Sequence, residues 1–154
     1  NYLYVVNGDG TLGVFITNRA EKVMAWTKYT TSGDIMDVAV VEDVVYLYVK
    51  RTINSSTVYH VEALDNNHYT DASKQVTQSS SASVSGLAHL NGEVCRVRAD
   101  SSVMNNATPS GGAITLSRAA TNIEVGLNFD VTIKTMPAAV TLDAGPIRVK
   151  KRRI

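Results

Sequence analysis

The chain of 154 residues has a single cysteine, Cys95, and only three prolines. One cysteine excludes an internal disulfide and a zinc site built from several cysteines, and it suits assembly in a reducing compartment. No apolar run approaches the roughly 20 residues that span a bilayer, so we expect no membrane span. Walker and dinucleotide-binding fingerprints are also missing, so no nucleotide site is predicted.

Hydrophobic residues make up 44% of the chain, which is enough to bury a core in one domain or two small ones. Asn1 begins the chain within an apolar stretch, without an initiator Met or a signal peptide. We therefore expect the polypeptide to be a piece of something larger.

The net charge of +1 hides an uneven distribution. The final seven residues hold five bases: Arg148, Lys150, Lys151, Arg152 and Arg153. The other ten of the 15 bases are outnumbered by 14 acids. This basic segment is a candidate patch facing an acidic partner or DNA. A solvated end, or a strand whose charges alternate, is the simpler alternative.

Strand signals dominate the first 64 residues, in which short β-branched and aromatic runs alternate with polar clusters. The turn signal "NGDG" at 7–10 predicts a hairpin between strands at 2–6 and 12–17, with a further strand at 23–30. A turn or two of helix at 18–26 is the alternative for part of this stretch. Further strands are expected at 35–41, 44–50 and 57–63, with the polar "TINSS" joining the last two.

The tetrapeptide "YLYV" occurs at Tyr2 and again at Tyr46, 44 residues later. This interval matches the spacing of four-stranded propeller blades, so residues 1–64 are expected to form about one and a half blades. The two copies should then occupy equivalent strands of adjacent sheets. Chance matching of two tyrosine-rich strands is the alternative.

The remaining residues divide into a polar stretch and a second β-rich unit. Residues 65–83 are serine-rich and predict a linker or long loop. Residues 84–147 are expected to form a small β-barrel-like domain, followed by the basic segment 148–154. Its clearest pattern is a run of apolar side chains at odd positions, which should all face one core: Ile123, Val125, Leu127, Phe129, Val131 and Ile133. Gly126 is expected to mark a bend or bulge.

Residues that could carry chemistry are scattered. Cys95 follows His89 by six positions, but no third orienting group is identifiable, so a small buried hydrophobe is favoured over a nucleophile. His60 and His68 have no metal-ligand spacing. "NGDGT" resembles the start of a calcium loop but lacks the later carboxylate, because position 18 is Asn. No catalytic residue, cofactor or metal is predicted.

The order of several phrases resembles a family of tailed-bacteriophage structural proteins. The phrases are "NGDGTLGVF", a Trp-containing strand at 24–29, "VYLYVKRTIN", and "GLAHLNGEV" leading into "VGLNF". They are similar to tail tubular protein B, the nozzle of short-tailed phages. Some relatives are labelled as carrying a domain like the first catalytic-cysteine half-domain (FCCH) of ubiquitin-activating enzymes, but no adenylation motif is present and that chemistry is not carried over to Cys95.

The resemblance implies a β-propeller interrupted by an inserted β-barrel-like domain. It also implies a structural component of the virion tail, made in the host bacterial cytoplasm and acting in a nozzle or head-to-tail connector. The expected partners are other tail proteins and copies of this chain around the DNA conduit, with transient DNA contact.

Two other functions remain open from the residues alone. A carbohydrate-binding or host-receptor module would need its exposed aromatics, of which Tyr29, Tyr59 and Tyr69 are the candidates, clustered at one loop end. A tail-associated hydrolase would need paired carboxylates in one cleft. The sequence shows neither cluster.

Overall fold

The computed structural model describes residues 1–133, 139–142 and 145–148, the last two ranges as backbone only. Within them the protein is all-β, with one short 3₁₀ helix at Ala88–Leu90. The strands are β1 (Tyr2–Val6), β2 (Leu12–Asn18), β3 (Val23–Tyr29), β4 (Asp34–Val41), β5 (Val44–Ile53), β6 (Ser56–Leu64), β7 (Asp71–Ser85), β8 (Arg96–Ala99), β9 (Ser102–Val103), β10 (Ala113–Leu127), β11 (Ala139–Leu142) and β12 (Gly145–Arg148).

The first sheet has the antiparallel order β1-β2-β3 and confirms the hairpin predicted from "NGDG". The Asn7 backbone N–H donates to the Thr11 carbonyl at 2.8 Å, and Gly10 has a φ of 77° that glycine adopts without strain. The Asp9 carboxylate accepts from the Thr11 backbone N–H at 3.2 Å. β3 excludes the helical alternative, because Val23–Tyr29 is a strand.

The second sheet has the antiparallel order β4-β5-β6, and its three strands were also predicted. Two-residue turns join the strands: Glu42 and Asp43 after β4, and Asn54 and Ser55 after β5. All four residues have positive φ between 48° and 67°, the conformation of a hairpin turn whose twist matches that of its strands.

The first two sheets share one core. The buried side chains come from alternate positions of β2 and β5, as expected when one face of a strand is covered, and from Ile35 of β4. They are Leu12, Val14, Ile35, Val45, Leu47 and Val49. The face of each sheet that points away from this core is its outer face.

The two "YLYV" segments are not equivalent, so that prediction is wrong. They lie in neighbouring sheets, but β1 is an edge strand whereas β5 is central. In β5, Leu47 and Val49 are buried and the tyrosines point outward. In β1, Leu3 is exposed and Tyr4 packs against the core. The two copies therefore have opposite phases relative to the core.

The third sheet has the order β7-β10-β8-β9 and corrects the linker prediction at 65–83. Residues 71–85 form a 15-residue strand that pairs antiparallel with β10. β7 is an edge strand, where one face and one backbone edge meet water, so serines are tolerated. Its Val84 is fully buried in a second core with side chains that include Leu87, Cys95 and Ile123.

The odd-position pattern at 123–133 is half right. Ile123, Val125 and Leu127 are buried at the end of β10. The strand stops at Leu127, and the other three expected core residues are 48%, 71% and 82% exposed: Phe129, Val131 and Ile133. β10 also begins earlier than expected, because "AITLS" and "NIEVGL" form one strand.

The irregularity expected at Gly126 is confirmed, since the register between β10 and β7 shifts between Val125 and Leu127. A Cβ atom at Gly126 would lie 2.4 Å from the Thr70 Oγ1 and 2.6 Å from the Asp71 carbonyl oxygen. Only glycine allows this approach of the chain between β6 and β7.

Candidate binding groove

A groove of about 820 Å³ runs beside β6 and the segment that leads from it into β7. This volume lies within the range of small-ligand sites. Its lining mixes aromatic rings, imidazoles and carboxylates: Tyr29, Tyr59 and Phe129; His60, His68 and His89; Glu62, Asp65 and Asp71. We call this feature the β6 groove.

Arg51 holds the carboxylates behind the β6 groove. Its guanidinium, 1% exposed as a residue, donates to both oxygens of Glu62 at 2.6 Å. It also donates to both oxygens of Asp71 at 3.1 and 3.2 Å, and to the Ser32 carbonyl at 2.8 Å. Thr31 donates its hydroxyl to the same Asp71 carboxylate. Three segments that are distant in sequence from Arg51 are thereby tied to its side chain.

The position of Arg51 follows from the alternation in β5. Val45, Leu47 and Val49 point into the first core and Ile53 into the second, so Arg51 also points inward. Burial disfavours its charged form, but the hydrogen bonds that it donates to Glu62 and the negative charge of Asp71 outweigh this and raise the pKa of Arg51. The guanidinium can therefore be buried in its charged form because the two carboxylates offset its desolvation.

The three histidines meet in the β6 groove, although sequence reasoning treated them as isolated. The His60 and His89 rings lie 6.2 Å apart edge to face, and His60 Nδ1 is 3.6 Å from a Glu62 oxygen. His68 Nδ1 shares a hydrogen bond with the Ser73 hydroxyl. Burial lowers the pKa of His89, whose Nε2 lies 3.1 Å from the Ala72 carbonyl oxygen.

Two of the three tyrosines expected to be exposed line the groove. Tyr59 stacks on Tyr48 with ring centroids 5.6 Å apart, and Tyr29 reaches the groove from the end of β3. Tyr69 is exposed elsewhere, with the Arg98 guanidinium 4.5 Å above its ring. The aromatics are thus only partly clustered.

Cys95 lies in the second core, apart from the groove. Its side chain is fully buried, and desolvation raises the pKa of the thiol to about 11. Reactive cysteines have lowered pKa values in exposed, electropositive surroundings. His89 is engaged with Ala72, and the Cys95 thiol donates to the Glu93 carbonyl oxygen at 3.5 Å, so these two residues do not form a nucleophile–base pair.

A second feature is the apolar outer face of the first sheet. Cross-strand pairing aligns Leu3 with Phe15 and Phe15 with Trp26, whose rings lie 5.0 Å apart. Trp26 is 62% and Met24 76% exposed. These four residues define the first outer face.

The second sheet has a comparable outer face. Tyr46 and Tyr48 alternate with the buried residues of β5, and Val61 lies opposite Tyr48 in the register. Val41 and Val44 extend the surface at the β4–β5 turn, and all five are exposed. Alternating strands usually place polar side chains on the outer face, so two apolar outer faces are unusual.

The predicted basic patch cannot be placed. Arg148 is the last residue of β12, described as backbone only, and Lys150, Lys151, Arg152 and Arg153 lie outside the described residues.

Sequence reasoning missed Arg51, Glu62 and Asp71. A signal for Arg51 was present, because a charged residue stands at an inward position of a strongly alternating strand. No comparable signal marks its partners.

Within the described ranges, no group of three or more histidine, cysteine or carboxylate residues could hold a metal ion. No helix in this part of the chain has the length and apolar character to cross a membrane. No protein-family model matches the chain, and no curated protein matches it.

Proposed function

We propose that this chain is a structural component of a bacteriophage tail, in the nozzle or head-to-tail connector region, that works through protein assembly. The observation that carries the proposal is the pair of apolar outer faces. The resemblance of the ordered phrases to tail tubular proteins supplies the kind of assembly. We also propose that it lies in the virion tail and that its partners are other tail proteins and copies of this chain.

The outer faces have the composition of protein interfaces. Large exposed apolar patches on soluble proteins mark interaction surfaces, and Trp, Tyr and Met are enriched where partners meet. Trp26 and Met24 supply this chemistry on the first sheet, and Tyr46 and Tyr48 on the second. Stable interfaces bury about 800 Å² per partner, and such a contact needs no reactive site.

The finer architecture is part of the same proposal. The two three-stranded sheets at 1–64 would contribute to a propeller, and the sheet built from β7 to β10 would belong to an inserted barrel-like domain. These three sheets are antiparallel, as both architectures require. The basic segment would face an acidic neighbour or passing DNA.

Cryo-electron microscopy of the parent virion tests this function. We expect the chain to fit tail density in a symmetric ring, with both outer faces covered by neighbouring chains. Absence from the virion would contradict the proposal. A location only at a peripheral receptor-binding tip would instead support the carbohydrate- or receptor-recognition function.

A further inference from the structure

We propose that the β6 groove binds an extended peptide segment of another protein chain, which carries Lys or Arg side chains and pairs with the free edge of β6. This inference goes beyond the tail function and does not depend on it. It rests on the strand edge, the shape of the groove and the charges that line it.

The first support is the unprotected edge of β6. This nine-residue strand pairs with β5 along its whole length without a register shift. Within the described residues, no strand pairs with its other side. Proteins usually guard such edges with lysine, proline, a bulge, a short strand or an inward-pointing charge. "STVYHVEAL" has none of the first four, and its inward Glu62 is already paired with Arg51. Its outward N–H and C=O groups are available to another strand.

The second support is the groove that adjoins this edge. Residues Tyr59 to Asp65 form one wall, and the segment from Thr70 to Ser73, with His89 and Phe129, lines the space beside them. Side chains of β6 alternate between the two sides of its sheet, so a strand laid along the edge would meet them on both of its faces. Strand addition gains affinity from the backbone and specificity from such flanking pockets.

The third support is charge. Three carboxylates line the groove, whereas no Lys or Arg is present among its described lining residues. Arg51 compensates Glu62 and Asp71 from behind with a single positive charge. Asp65 stands at the end of β6 with its side chain 43% exposed, and its nearest cationic candidate is His68 at 3.8 Å. A basic side chain of the bound segment complements this surface.

Titration calorimetry of the 154-residue chain with short peptides tests the proposal. The probe is acetyl-KVKVKV-amide, and the matched probes are acetyl-EVEVEV-amide and a KVKVKV peptide with alternate backbone nitrogens methylated on one edge. We expect the basic peptide to bind, and the other two to bind at least tenfold more weakly. Methylation removes backbone donors but keeps every side chain, so equal affinity for the methylated peptide would overturn strand pairing.

Asp65→Asn isolates the charge contribution. Asn keeps an oxygen that accepts the Asn67 backbone N–H, as Asp65 does at 2.8 Å, but loses the charge. We expect two- to fivefold weaker binding of the basic peptide at low salt, the range of an exposed ion pair. Asp37→Asn is the matched control, because Asp37 also accepts a neighbouring N–H, from Val38 at 2.8 Å, and lies on β4. It should change affinity less than 1.5-fold.

Hydrogen exchange locates the bound segment. The outward amides of β6 should become protected when the basic peptide binds, while those of β3 from Val23 to Thr27, away from the groove, should not change. Protection confined to β3, or no binding by any peptide, would overturn the proposal. Binding of a neutral oligosaccharide such as maltohexaose, with displacement of the peptide, would assign the groove to carbohydrate instead.

Discussion

Arg51 is the residue on which the junction of the sheets depends. Its guanidinium is shared between Glu62 on β6 and Asp71 at the start of β7, and it has no contact with water. Replacing a whole buried ion network with apolar side chains often costs little stability. Removing one member is costly, because the remaining charges are left buried without a partner.

Arg51→Met should lower the free energy of unfolding by about 3–5 kcal/mol, because Glu62 and Asp71 would lose their shared partner. Urea unfolding followed by circular dichroism measures the change. Lys50→Met is the matched control, since the Lys50 side chain is 42% exposed and 3.9 Å from Asp34, and should cost less than about 1 kcal/mol. Equal effects of the two substitutions would show that the network contributes no more than a surface pair.

Cys95 should react slowly with thiol reagents in the folded chain. Its thiol has a pKa of about 11 instead of 9.0, which lowers the thiolate fraction at pH 8 about a hundredfold, and the fully buried sulfur is also inaccessible. We expect labelling at least a hundredfold slower than in the chain unfolded in urea, measured with a chromogenic disulfide. Rapid labelling of the folded chain would reopen the nucleophile hypothesis.

Asp100 should make stability depend on acid pH. The backbone N–H groups of Asn122 and Thr121 hold the pKa of this carboxyl at about 2, below its ordinary 3.8. A lowered folded-state pKa contributes stability that is complete above about pH 4 and is lost as the pH falls towards 2. Asp100→Asn should therefore be less stable than the parent at pH 6, with the gap closing by pH 2. Thermal unfolding across this range measures it, and a constant gap would contradict the assignment.

At the element scale, the first six strands were predictable from two signals. Runs of β-branched and aromatic side chains mark the strands, and residues able to adopt positive φ stand at the turns after β1, β4 and β5. The phase of each strand was harder to predict. The same "YLYV" letters turn opposite sides to the core in β1 and β5, since the phase depends on which neighbouring residues pair.

The failures at β7 and β10 also have physical causes. β7 lies at a sheet edge and alternates serine and glutamine with Val76, Ala82 and Val84, so its apolar signal is diluted. In β10, the alternation continues past Leu127 in the sequence, but in the part of the chain that the structure describes no partner strand covers Phe129. Periodicity records which residues could share a face, and it does not supply the second surface that buries them.

Gly126→Ala should destabilise the β7–β10 pairing. The added methyl group would meet the Thr70 Oγ1 and the Asp71 carbonyl at distances under 3 Å, so the backbone must shift. We expect a loss of about 1–3 kcal/mol in the free energy of unfolding, the usual cost of overpacking. Gly8→Ala is the control, because its Cβ would meet no atom within 4 Å, and it should change stability by less than about 0.5 kcal/mol.

For the whole molecule, sequence reasoning identified the all-β class but not the composition of the surfaces. The sequence predicted a strand at 44–50 but not that Tyr46 and Tyr48 would stand on its exposed face. The β6 groove was harder still to predict from the sequence. Its residues come together from the end of β3, from β6, from the start of β7 and from the 3₁₀ helix after β7. Only the tertiary arrangement assembles them.

The apolar outer faces should make the chain self-associate at high concentration, and Trp26→Lys should oppose this. A lysine on the first outer face would bring an unpaired charge into the contact, where truncating a central Trp already costs about 2 kcal/mol or more. We expect association to require at least a tenfold higher concentration in sedimentation velocity. Val103→Lys, at an exposed site on β9, is the control. An equal effect of both substitutions would argue against this face.

β5 crosses from one core to the other on a single alternating strand, with Val49, Arg51 and Ile53 at successive inward positions. Because side chains alternate with a period of two, one inserted residue between Val49 and Arg51 would turn Arg51 and Ile53 to the opposite face together. The ion network would lose Arg51, and the second core would lose Ile53. Length variation among related chains should therefore accumulate in the turns on either side of β5 and spare the strand itself.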